Sequence, residues 1–99
     1  MDKIKPISIQ MRRLSDEFVY HFYPTHEVDG YMQYRRLDKN IIIKRHMDYG
    51  WVVWDDDDNM LMARPWHVDK STQSTQPPQC EWVSKKGNNS FVYMLTYSV

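Results

Sequence analysis

The sequence predicts a mainly β protein, a small antiparallel meander of hairpins, and three observations carry that expectation. Apolar runs recur in pairs around short polar clusters: YMQYRRL, DKN and IIIKRHM; then YGWVVW, DDDDN and MLMARPW; then CEWVSKK, GNN and SFVYMLTYSV. The runs are rich in aromatic and β-branched residues, which suit a pleated, half-buried surface, and the clusters hold the Asp, Asn and Gly that hairpin turns demand. In the last run Phe91, Tyr93, Leu95 and Tyr97 fall on alternate positions, the period of a strand with one buried face.

The N-terminal stretch ISIQMRRLSDEFVYHFY admits two readings. As a fourth hairpin, Ile7, Ile9 and Met11 alternate, an SDE turn follows, and Phe18, Tyr20 and Phe22 alternate in turn. As a helix, Met11, Leu14, Phe18 and Phe22 share one side, which gives an α+β alternative with one N-terminal helix. The hairpin is preferred because three downstream units already use it and Tyr and Val are poor helix formers. Pro24 is expected to end the element either way. DKSTQSTQPPQ, residues 69–79, has no apolar residue and reads as a mobile polar loop.

The 99 residues form a single domain, 1–99, large enough for one modest core. No apolar run approaches the ~20 residues that cross a bilayer as a helix, and MDKIKPISIQ has no apolar signal region. The lone Cys80 suits a reducing compartment, and the expectation is a soluble, cytoplasmic protein. Formal charge is zero but uneven: residues 1–46 carry nine Lys/Arg against six Asp/Glu, residues 47–99 four against seven. Bulk charge therefore does not point to a strongly basic nucleic-acid binder.

The aspartate run Asp55, Asp56, Asp57, Asp58 is read as a solvated turn. Adjacent strand residues point to opposite faces, so four in a row do not converge on one ion, and no calcium-loop Gly or distal Glu follows. His21, His26, His46 and His67 lack ligand spacing, and Cys80 has no CxxC partner, so neither metal nor cofactor is expected. No GxSxG, Gly-rich phosphate loop or HExxH is present, and no catalytic residue is assigned.

Binding accounts for the composition better. Four Trp, seven Tyr, seven Met and three Phe strain what a core of this size can bury, and Trp, Tyr, Met and Arg are enriched at interfaces. Pro65 in a β stretch implies an edge or strand end, so Arg64, Pro65 and Trp66 are expected to be accessible. With Trp54 they form the candidate partner site, and Asp55 to Asp58 supply charge complementarity to a basic surface. The alternative is a single-strand or DNA-end binding face built from Arg12, Arg35, Arg36 and Lys44 with neighbouring tyrosines.

The opening ISIQMRRLSDEFVYHFYPTHEVDGYMQYRR and the tryptophan-rich middle resemble the small early-region accessory proteins of temperate enterobacterial phages, most nearly the P22-type anti-RecBCD proteins. The resemblance implies a non-enzymatic modulator in the host cytoplasm that binds the host RecBCD nuclease and favours phage recombination. It also implies engagement of a host prolyl isomerase of the cyclophilin kind, for which Pro65, Pro77 and Pro78 are the candidate contacts.

Overall fold

In the computed structural model, which describes residues 7–86 and 89–98 (the side chains of 85 and 86 apart), the meander closes on itself. Eight strands run β1 Ser8–Arg13, β2 Val19–Val28, β3 Tyr31–Arg35, β4 Ile41–His46, β5 Gly50–Asp55, β6 Met60–Arg64, β7 Glu81–Lys86 and β8 Asn89–Ser98. Each pairs antiparallel with its neighbour in sequence, and β8 returns to β1 to seal a barrel. The closing ladder runs from Ser8 opposite Ser98 to Arg13 opposite Tyr93. Closure gives each described strand a partner on both sides over at least part of its length, which reduces the edge available for pairing with another chain. Among the described residues the helical content is a 3-10 turn at Lys70–Thr72.

Residues 7–23 are a hairpin, and the N-terminal helix alternative falls. Ile9 opposes Phe22 and Met11 opposes Tyr20, so these four face inward with Ile7 packed beside them, while Phe18 at the turn is exposed. Pro24 does not end β2, contrary to the sequence expectation. The β1–β2 pairing has finished at Phe22, and beyond it β2 pairs with β3 across a register shift between Pro24 and Glu27. A missing N–H is tolerated where one side of the strand is unpaired and the ladder is bulged.

Inward residues fill the barrel: Ile9, Met11, Phe22, Tyr34, Ile43, Trp51, Val53, Trp82 and Leu95 belong to one buried cluster. The four tryptophans divide, with Trp51 and Trp82 fully buried, Trp54 half-buried and Trp66 44% exposed. Burying a large aromatic contributes roughly 2–3 kcal/mol, so this pair weighs heavily in a barrel of this size.

The two ends differ. At one end the segment after β6 crosses the opening as a strap. Trp51 Nε1 donates to Ser74 O (3.1 Å), Trp82 Nε1 to Pro78 O (3.0 Å), and the Tyr97 hydroxyl to Pro77 O. Gln73 Oε1 accepts from Trp51 N (2.8 Å) while its Nε2 donates to Val68 O (3.1 Å). Residues 69–79, read from composition as a mobile polar loop, supply acceptors here: the Gln73 side chain and the carbonyls of Ser74, Pro77 and Pro78 receive the backbone, indole and phenol donors at the floor of the barrel. Gly50 has φ +81°, and a Cβ there would lie 2.4 Å from Gln73 Oε1, so the strap leaves no room for a side chain. The opposite end carries the turns after β1, β3 and β5, and it is open. The tip of the final hairpin, 87–88, lies outside the described residues.

Candidate functional site

The outer wall over β4, β5 and β6 carries a continuous row of stacked rings and cations. Strand alternation puts Lys44 and His46 outward on β4, Trp54 outward on β5 and Arg64 outward on β6, while Ile43, Val53 and Ala63 face the core. Lys44 Nζ lies 4.7 Å from the Trp54 ring centre, and His46 stacks on Trp54 at 5.2 Å. His46 meets Tyr49 at 4.8 Å, and the Arg64 guanidinium lies 4.9 Å from Tyr49 and 3.5 Å from Trp66. Trp66 is held by its Nε1–H donating to Val83 O at 3.2 Å. Val52, also on β5, is fully buried although it is absent from the barrel's interior cluster. Arg64 Nε is buried without a hydrogen-bond partner, so the guanidinium is held by stacking more than by polar contacts.

Three of the residues singled out by sequence, Trp54, Arg64 and Trp66, therefore meet in this row, and Lys44 joins them from the alternative set. Pro65 does not. It is buried, at the corner where the chain leaves β6, and its carbonyl accepts Val68 N–H at 3.0 Å. It is a strand-end proline as expected, but the corner turns its ring inward. Pro77, within the strap, is likewise fully buried, and Pro78 is half-buried. An isomerase needing an extended, exposed X-Pro bond meets neither Pro65 nor Pro77 without opening of the strap. His46 and Tyr49 link the row and were not among the sequence candidates; the signal was there in the alternation that aligns His46 with Lys44.

The aspartates stand at the far end of the row. Asp55 Oδ1 accepts from the N–H groups of Asp57 and Asp58, each at 3.0 Å, and Asn59 takes a positive φ of 52°. Asn40 ties the turn to its neighbour by donating to Asp57 Oδ1 at 2.8 Å, and Trp54 Nε1 donates to Asn59 Oδ1 at 3.3 Å. Asp56, Asp57 and Asp58 are exposed on the tip. Among the described residues no group of three or more His, Cys, Asp or Glu is placed to hold a metal ion.

Of the alternative nucleic-acid set Arg12, Arg35, Arg36 and Lys44, Arg35 (opposite Ile42) and Lys44 take outward positions on neighbouring strands, whereas Arg36 leaves that surface. Arg12 pairs with Glu17 on the β1–β2 turn. Arg36, two residues beyond the inward Tyr34, turns into the barrel mouth and lies 4.4 Å from the Tyr20 ring centre. Adjacent strand positions alternate, so consecutive arginines part company. No family model matches this sequence, and no curated protein or solved structure is significantly similar to it.

Proposed function

We propose that this is a non-catalytic phage protein that docks on a host nucleic-acid enzyme, the RecBCD recombination nuclease, through the outer wall of β4 to β6, and so favours phage recombination. The observation that supports this reading is the row from Lys44 to Trp66: two accessible tryptophans and an arginine, pre-stacked on a rigid barrel wall. Such residues are the usual anchors of protein interfaces, and side chains already ordered lose less entropy on binding. Asp55 to Asp58 lie beside Trp54 and suit a basic surface such as a nuclease presents to DNA. The resemblance to anti-RecBCD proteins names the partner. A cyclophilin-type prolyl isomerase remains part of the proposal, acting on the strap at Pro78 first, because that proline is the least buried of the three candidates.

The test is a binding titration against purified RecBCD. Trp66→Ala and Trp54→Ala should each weaken the complex by at least about tenfold, the usual scale of a hot-spot truncation, with melting temperature nearly unchanged. Unchanged affinity in both variants would remove the outer wall from the interface. A second reading rests on the alternation of cations with rings along the same row, which suits stacking of single-stranded bases. It requires affinity for single strands that drops steeply between low and moderate salt.

A further inference from the structure

The open mouth of the barrel holds a cavity of about 180 Å³. Its walls are Met11, Phe22, Ile41, Val53, Ala63 and Phe91, and a bulge in β6 opposite Val53 and Trp54 brings Met62 beside Ala63 at the same opening. Arg13, Arg36 and Lys39 also line it, together with Tyr20 and Tyr93, and among the described residues no carboxylate does. The guanidiniums are fixed from outside the cavity. Arg13 donates twice to Asp16 (2.9 and 2.8 Å), and Arg36 twice to Asp38 (2.9 and 2.6 Å). Each arginine has five N–H donors, so donors remain beyond those two. Three cations thus line the cavity itself, while the carboxylates at this end, Asp16, Asp38 and those of the Asp55–Asp58 turn, stand outside its lining. In the wall, Ser84 is the buried polar residue among those described.

We propose that the mouth is a binding site for a single-ring aromatic acid. The ring occupies the apolar cavity, its acidic group meets Arg13, Arg36 and Lys39, and a polar substituent on the far side meets Ser84. Size supports this: an engineered cavity of ~150 Å³ accepts benzene. Chemistry supports it too, because guanidiniums stack on aromatic faces and also pair with carboxylates. The site is separate from the outer wall and does not depend on the nuclease reading.

The probe is 4-hydroxybenzoate, titrated into the full chain and followed by the amide NMR signals of Ala63 and Ser84. Saturable shifts at both are expected, and 4-hydroxybenzamide, which keeps the shape but not the charge, should bind about tenfold more weakly. Arg36→Gln should cost a similar factor, and Ala63→Leu, which fills the cavity, should abolish the shifts in a protein that still melts cooperatively. Should Ala63→Leu fail to fold, the acid–amide comparison on the unaltered protein decides. Absence of saturation, equal affinity for acid and amide, or shifts confined to Trp54 and Trp66 would each overturn the assignment.

Discussion

The two ends of this barrel solve the same problem in opposite ways. At the strapped end, Trp51, Trp82 and Tyr97 bring polar ring atoms into the floor of the barrel, and the carbonyls of Ser74, Pro77 and Pro78 receive them. At the open end, Arg13 and Arg36 bring charge to the opening, and exposed Asp16 and Asp38 receive it. One end is closed by backbone acceptors from a segment of its own chain; the other is held open by ion pairs. A covered end adds packing and an open end leaves room for a ligand, so the expected division puts folding at the strapped end and the proposed ligand at the mouth.

That division is broken most directly by trimming one large ring at each end. Trp82→Ala empties a fully buried site and removes the indole donor from the Pro78 carbonyl, which keeps the Cys80 N–H, a change that should cost roughly 3–5 kcal/mol of unfolding free energy. Tyr20→Ala, at the half-open mouth, should cost about 2 kcal/mol or less, because part of the ring is already in water. Denaturant titration of the two variants reads the difference. Equal losses would mean that the mouth is as much a structural core as the floor.

Extremes of pH should separate the ends as well. Burial raises the Tyr97 and Tyr34 hydroxyls above the usual 10.0, so their neutral forms are favoured in the folded barrel. Their contribution is complete below pH 10 and is lost as pH rises through the raised folded values. Asp16 and Asp38 behave oppositely: the guanidiniums of Arg13 and Arg36 hold both carboxyls below the usual 3.8. That contribution is complete above pH 3.8 and is lost as pH falls through the lowered values. Hydrogen exchange should therefore show the strap loosening first in alkali and the mouth turns first in acid. A uniform loss of protection at both extremes would contradict the division.

How much of this the sequence carries depends on the range of the interaction. Strand positions follow from period-two alternation, as with Phe91 to Tyr97, and turns follow from local chemistry, as with Asp55 capping Asp57 and Asp58. The Asp29–Gly30 turn went unread in the sequence, although Asp-Gly is the favoured pair for a two-residue hairpin and both residues take positive φ. Closure was not legible, because nothing local in Ser8 or Ser98 says that they pair across the whole chain. The strap escaped for the same reason. Residues 69–79 look solvated by composition, and only the folded barrel supplies the indole and phenol donors that their carbonyls meet. The candidate site divided likewise. Trp54, Arg64 and Trp66 were identified by residue type, whereas the burial of Pro65 and the parting of Arg36 from Arg35 depend on which way the chain faces at each position.

The smallest expected effect sits at the acidic turn, and it separates folding from binding most cleanly. Replacing Asp55 to Asp58 together by Asn keeps the side-chain acceptor that caps the turn and keeps Asn's tolerance of turn geometry. Only the charge goes. Four like charges on one tip repel each other modestly in water, so stability should stay within about 0.5 kcal/mol, on the gaining side if anything. Binding to a basic partner should fall all the same, chiefly through a slower association that loses much of its salt dependence. Reduced stability with intact binding would recast the aspartates as structural. Intact stability with slowed association would mark the turn as a steering surface beside the tryptophan row, and would explain why a turn that needs one capping aspartate carries four.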